Sequence, residues 1–407
     1  MSSNNITRFG LFPFIVIMYG SCILTSPVSG DGPFFLEMQQ IEKLHSLIVS
    51  GGEKNSHAIK HFLNKADSLL SVTPVSVMQK NQIPPSGDKH DFMSMGPYWW
   101  PDTSKPDGLP YVRKDGERNP EYTAISDQEY FGIMVRSVEK LSIAYAVTRN
   151  ARYSAKASEF LRVWFLNTGT RMNPNLNHAQ YIPGINTGRG IGIIETRYIF
   201  KVLDALCLLK GSEDWTANDD IAMRSWLKEY LSWLTIHQFG IDESAEKNNH
   251  GTWYDVQTVS LALFLGDTRT ADRILREAKT KRLDLQIEAD GKQPLELTRT
   301  RSWSYSTMNL SGLFHLATLA GRRGIDLWNY RNANGAILKT ALDYLLPFTA
   351  DTSKWKYRQI SPFETEALIP LVKTAMMQYG TEPYNTWIAE HHSGQEEISV
   401  EELVGVF

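Results

Sequence analysis

Cysteine is nearly absent: the 407 residues contain two. Cys22 sits inside an apolar run near the N-terminus, which leaves Cys207 alone and excludes a disulfide framework. Charge of one sign is lacking too. Lys and Arg number 42 against 45 Asp and Glu, a formal net charge of −3, so no overall basic field draws nucleic acid, and attraction for a polyanion must come from locally placed cations. Beyond the N-terminal run, no apolar stretch reaches the roughly 20 residues that a membrane span requires. Metal-ligand spacing is missing as well. The nearest candidate, Asp88, His90 and Asp91 in "GDKHDF", lies in a loop. The glycine-rich "NTGRGIGIIET" follows a loop and not a strand, so it is no phosphate-binding turn. Neither a metal nor a cofactor is expected.

At the N-terminus, Arg8 is followed by "LFPFIVIMYGSCILT" and then by the small, polar "SPVSG". A charged region, an apolar region and a cleavage zone in that order read as a signal peptide over residues 1–30. The remainder, 31–407, is then one domain of a periplasmic or secreted protein. The alternative is a lipoprotein anchored through Cys22, which follows the small residues Gly20 and Ser21.

From about Glu37 onward apolar residues return every three or four positions. Phe131, Val135, Val138, Leu141 and Tyr145 form one stripe, and Trp226, Tyr230, Trp233 and Leu234 another. Helical segments are predicted near 36–50, 56–71, 127–148, 152–166, 190–209, 217–236, 253–265, 269–281, 308–321, 335–346 and 362–378, the last capped by Ser361 with Pro362 in its first turn. The best strand signal is "LDLQIEADGKQPLEL", two short extended pieces about the Asp290-Gly291 turn. The chain is therefore all-α in class, with antiparallel helical hairpins packed as a curved array or a closed toroid. Between Gln82 and Tyr122 the pattern stops. That segment is rich in Pro and Gly and carries Tyr98, Trp99 and Trp100 side by side, which predicts an ordered loop over a groove.

Two segments hold the reactive inventory. "KNNHGTWYDVQ" supplies Asn248, Asn249 and His250, followed by Trp253; "PLELTRTRSWSYSTMNL" supplies Glu296, Arg299, Arg301 and Tyr305. Read separately, the first is a capped helix start and the second a solvated basic turn before a core tyrosine. Read together, they offer amide donors, an imidazole, a guanidinium and a phenol. β-Elimination at a uronic acid needs such a set. Donors and a cation must neutralise the sugar carboxylate and hold the enolate-like charge, a base must take the C5 proton, and an acid must protonate the departing O4. The Arg299 cation is expected to lower the Tyr305 pKa toward use as a base, with His250 as the other candidate base. Paired carboxylates for hydrolysis stay open, since their separation is not readable from sequence.

These segments, with "GDKHDFMSMGPYWWPD" and "IPGINTGRGIGIIETR", resemble the alginate lyase superfamily of polysaccharide lyases, in its Bacteroidota-type branch, over about Lys60 to Leu371. The resemblance implies an α/α toroid with a long ordered loop, and metal-independent endolytic cleavage of an anionic polysaccharide such as alginate. It carries the central roles to Asn249, His250, Arg299 and Tyr305. Arg301 is the alternative arginine, because better-known members have one more residue between their arginine and tyrosine than separates Arg299 from Tyr305. Around that centre, Asn248, Tyr98, Trp99, Trp100, His178, Tyr181, Arg189, Arg197, Arg301 and Trp253 are candidates for substrate binding. The basic run Arg276 to Arg282 is read as the solvated end of a helix. Glucuronan is the alternative polymer, and a non-catalytic glycan-binding protein the alternative class.

Overall fold

The computed structural model describes residues 32–50, 57–392, 400 and 404–405. The segment read above as a signal peptide, with Cys22 in it, lies outside the described residues. Two helices, α1 (Met38–Ser50) and α2 (His57–Leu69), pack on α3 (Asp127–Thr148). The following α4 (Ala151–Leu161) and α5 (Ile199–Leu209) flank α3. Then come α6 (Ala217–Ile236), α7 (Gln238–Ala245), α8 (Asn249–Leu265) and α9 (Thr268–Ala278). Two short helices, α10 (Asp284–Gln286) and α11 (Pro294–Leu297), lead into the long α12 (Ser302–Arg322). The set closes with α13 (Leu338–Leu345), α14 (Pro347–Ala350), α15 (Ile369–Tyr379) and α16 (Asn385–His392). The result is a helical toroid with few and short strands. Among the described residues, no helix is long and apolar enough to cross a membrane.

Helix α8 is the axis of the packing. It lies against α5, α6, α9 and α12, and Asn249 and every residue from Gly251 to Phe264 are buried. A helix covered on all sides must satisfy its polar side chains internally. Gln257 accepts from Thr196 Oγ1 at 2.8 Å and donates to the Ile193 carbonyl, while Asp255 pairs with Arg282 at 2.8 Å. The position of its first turn is thus fixed by the core.

The strands serve the long loop. β1 (Met93–Met95) pairs in parallel with β4 (His178–Tyr181), and β2 (Trp99–Trp100) pairs antiparallel with β3 (Val112–Arg113). Met93, Met95, Tyr122 and Ile125 form a small core of their own, against which Tyr111 and Tyr181 pack. At its base Lys80 Nζ meets Asp127 Oδ2 at 2.9 Å with both side chains fully buried. The loop is ordered because it has a core and an anchor.

Three local expectations change. The segment 283–297 forms no strands: its turn stands, with the Glu288 N–H donating to Lys292 O, but α10 and α11 replace the extended pieces. The short antiparallel pair near the site is β2–β3 instead. Helix α15 starts at Ile369 and not near Pro362, because Phe363 stacks on Trp303 at 4.1 Å and the Glu364 carbonyl accepts the Trp303 indole N–H, which hold that stretch outside a helix. Arg282 is not solvated: it is 2% exposed, and its guanidinium binds Asp255 and the carbonyls of Ser244 and Glu246.

Burial also raises several carboxyls. Asp204, which accepts from the Phe34 and Phe35 N–H groups, and Glu195, which accepts from Ser94, are both pushed up to about 7, and Asp127 to about 6. Unfolded carboxyls titrate near 4. Between these limits the folded state binds more protons than the unfolded one, so stability must fall as pH rises. The melting temperature is expected to be higher at about pH 5 than at about pH 8, and Glu195→Gln to flatten that slope; a profile that rises over this range in thermal denaturation would contradict the assignment.

Candidate active site

The site begins at the first turn of α8. Asn248 caps the helix, its side chain accepting from the His250 N–H at 3.1 Å. Asn249 is wholly buried and doubly tied to Glu296: its backbone N–H donates to Oε1 at 2.7 Å and its Nδ2 to Oε2 at 2.8 Å. That leaves one Nδ2 hydrogen uncommitted and the buried Oδ1 without a partner among the described residues. His250 is half-buried, and its Nδ1 lies 2.8 Å from Oε1 of the fully buried Glu243 in α7. A carboxylate there makes Nδ1 the donor and leaves Nε2 as the lone-pair nitrogen of the neutral ring.

The turn between α7 and α8 is braced from behind by Arg282. Gly251 is needed for that closeness and not for a turn in the chain: a Cβ there would stand 2.0 Å from the Glu246 carbonyl oxygen and 2.5 Å from the Arg282 guanidinium.

The second segment is held by the long loop. Arg299 donates through Nε and Nη2 to Asp115, the latter at 2.9 Å, and Thr300 adds its N–H and hydroxyl to the same residue. Burial pushes the Asp115 carboxyl up, but Arg299 and Thr300 outweigh it and hold it down at about 2. The Arg299 guanidinium also lies over the Tyr305 ring, 4.0 Å from its centroid. Tyr305 Oη meets Tyr98 Oη at 2.7 Å. Burial and the Tyr98 phenol raise the Tyr305 pKa, and the Arg299 cation, which lowers it, does not prevail. The expected lowering is therefore reversed: desolvation wins over a cation whose charge Asp115 already balances.

Glu296 joins the two segments. Its carboxylate holds Asn249 and its carbonyl accepts from the Arg299 N–H at 3.0 Å. Burial raises its pKa, opposed by Asn249, Arg299 and His250. Glu296 thus ties Asn249, the neighbour of His250, to the segment in which Arg299 lies over Tyr305, with Tyr98 arriving from the loop.

The outer candidates divide. Trp253 is a core residue, 1% exposed, with its indole N–H on the Met308 carbonyl; it does not line the site. Asn248 is occupied as the cap. Arg189 binds Gln180 through Nη2 at 2.7 Å and lies over Trp99, which places both in the scaffold of the loop. Trp100 donates to Glu117 O under Lys114. His178 is bonded to the Thr187 carbonyl, Tyr181 packs on the loop's small core, and Arg197 covers the Tyr198 ring. Among the described residues no group of three or more His, Cys, Asp or Glu is placed to hold a metal. Glu243 and Asp115 are the residues that sequence reasoning missed. The first lies seven positions before His250, the second 184 before Arg299, so only the acidic character of each hinted at it.

A protein-family model described as alginate lyase matches residues 76–355. An alginate lyase from Bacteroides ovatus superposes with a TM-score of 0.85 at 35% identity, covering 92% of this chain and 98% of its own. Alginate lyase A1-III from Sphingomonas species A1 shares the fold at 15% identity, with a TM-score of 0.56 over 89% of this chain and 92% of its own. A variant of A1-III complexed with a tetrasaccharide gives 0.58 at 15% identity, over 88% and 90%. Among curated proteins none matches the chain. A helical toroid with these relatives defines the class, a polysaccharide lyase. The chain belongs to the alginate lyase family.

Gly116 tests the clamp between loop and site. It has φ +75°, and a Cβ on it would stand 2.2 Å from Thr300 Oγ1. Gly116→Ala is expected to destabilise by about 1–3 kcal/mol in denaturant unfolding and to lower turnover. Unchanged stability and turnover would show that the clamp does not matter.

Proposed function

We propose that the protein cleaves a β-1,4-linked polyuronate, alginate foremost, by β-elimination within the chain and without a metal, leaving a 4,5-unsaturated uronate on the new non-reducing end. The observation that carries this reading is that the two segments joined by the Glu296–Asn249 bonds each hold a differently poised group. His250 is fixed by Glu243 with Nε2 left to accept a proton. Tyr305 is held as a neutral phenol, with Tyr98 at 2.7 Å.

The steps follow from those states. His250 Nε2 takes the C5 proton, and Tyr305 gives its hydroxyl proton to O4 as the C4–O4 bond breaks. The electron pair released at C5 becomes the C4–C5 double bond. Before that, charge gathers on the sugar carboxylate, where the remaining Asn249 amide hydrogen and the cations of the Arg299–Arg301 stretch stabilise it. A base role for Tyr305 would need ionisation of a phenol that burial and Tyr98 both keep neutral. Hydrolysis is the weaker reading: the carboxylates Glu243, Glu296 and Asp115 are committed to His250, Asn249 and Arg299, which leaves none of the three to work as an acid or base on a glycosidic bond. We place the working enzyme in the periplasm or outside the cell, in line with the N-terminal pattern.

The test is ultraviolet absorbance of the unsaturated end during incubation with polymannuronate, polyguluronate and glucuronan, with and without a chelator. A chelator-resistant rise on the alginate blocks is expected; a rise on glucuronan alone would reassign the polymer. Tyr305→Phe and His250→Ala should each lower kcat by about 10²–10⁴-fold while polymer binding persists in titration calorimetry. Near-normal turnover in either variant would remove that residue from its role.

A further inference from the structure

Helix α12 begins with a residue that cannot cap it. The first N–H groups of a helix have no partner within it, and a side-chain oxygen just before the helix is the usual remedy. At that position stands Arg301, whose side chain is a donor only and makes no capping bond. The acceptors come instead from a segment 56 positions further along the chain. The Ser302 N–H and hydroxyl donate to the Arg358 carbonyl at 3.1 and 2.8 Å, and the Trp303 N–H donates to Gln359 Oε1 at 3.0 Å. The Gln359 amide also donates: its Nε2 lies 3.0 Å from Ser304 Oγ and 2.9 Å from Ser361 Oγ, so both ends of one side chain are engaged. Just before the helix, the Ile360 N–H donates to the Thr300 carbonyl at 3.0 Å, and Thr300 is the residue whose N–H and hydroxyl hold Asp115 of the long loop. Thr300, Ser302, Trp303 and Ser304 are thus all bonded to 358–360, and Tyr305 is the next residue.

We infer that Gln359 is a positioning residue for the elimination: its side-chain amide caps the helix that carries Tyr305 and so sets where the phenol stands against Tyr98 and the departing O4. This rests on the lyase reading above. Each residue of a helix turns the chain by about 100° and advances it by about 1.5 Å. A first turn that frays or slips therefore carries Tyr305 away from Tyr98, whose hydroxyl it meets at 2.7 Å. The body of α12 does not depend on the cap, because Trp303 is wholly buried between Phe363 and Trp355 and its indole N–H is held by the Glu364 carbonyl. What the Gln359 amide adds is the course of the backbone from Trp303 to Tyr305. The device is placed close to the chemistry without touching it, since Gln359 reaches Tyr305 only through Trp303 and Ser304.

The test replaces Gln359 with methionine, which keeps the length of the side chain and removes its amide. Gln359→Met is expected to lower kcat on alginate by about 10- to 100-fold, the effect of displacing a reacting group by about 1 Å. KM and the calorimetric affinity for alginate oligosaccharides should stay within about threefold of the parent, and the melting temperature within about 4 °C. The alkaline limb of the kcat–pH profile is the readout that a merely structural role would not move. Burial, Tyr98 and Asp115 raise the Tyr305 pKa and Arg299 lowers it. Gln359→Met leaves those three side chains in place and lets water reach the phenol, so the limb should move down toward the ordinary phenol value of about 10. In Gln359→Glu the carboxylate still accepts the Trp303 N–H and can take the hydroxyls of Ser304 and Ser361 as donors; it should recover most of kcat and leave the limb at or above the parent's. If Gln359→Met does not fold, Ser304→Ala carries the comparison, since it cuts one bond of the amide: the same downward move of the limb with a smaller loss of kcat supports the inference. Parental kcat and an unmoved limb in these variants, or losses of kcat and affinity that run together while the limb stays, would overturn it. Absence of unsaturated product from the unmodified enzyme would sink the lyase reading and the inference with it; normal turnover of Gln359→Met beside an active parent would sink the inference alone.

Discussion

The site depends on one buried carboxylate. Glu296 sits in a place 1% exposed to water, where burial disfavours its charged form and leaving its oxygens without donors would be costly. Two hydrogen bonds from Asn249 meet it, one from the backbone and one from the side chain. The same two bonds fix the first turn of α8 against the segment that carries Arg299 and Tyr305. A polar contact within the core therefore sets the relative placement of residues that are about fifty positions apart in the chain.

Around that clasp the molecule repeats one device: a carboxylate held by the fold orients a candidate side chain of the site. Glu243 does so for His250, and Asp115 for Arg299. Each anion is itself held by the fold, Glu243 within the short α7 and Asp115 by Thr300. The long loop takes part as a wall of the site. Its own small core and the buried Lys80–Asp127 pair keep it in place, and Tyr98 projects from it to Tyr305. Loss of order in the loop would free both the arginine and the phenol.

Periodicity reads much of the toroid directly. The ranges of α3 and α6 match the apolar repeat to the residue, since both are half-covered helices with a clear stripe. The start of α8 is legible only from Trp253 onward because its first turn is polar, although buried; Asn248 as a cap is the sequence signal that places the true start. Residues 283–297 mislead because alternation around a turn suits a hairpin as well as two short helices. The candidate site residues were legible as types and the acidic partners were not, since Glu243 and Asp115 owe their meaning to contacts across the fold. Two side chains show the limit on burial: Trp253 and Arg282 both lie in the interior, and nothing local distinguishes them from groove or surface residues.

The central claim is that the chain's own imidazole and phenol break the bond by elimination. The most direct test is mass spectrometry of the oligosaccharides released from alginate in water enriched in heavy oxygen. Elimination adds no water, so the account predicts products at the mass of the dehydrated chain with no heavy oxygen gained in the cleavage. Products one water heavier that carry the label would contradict it.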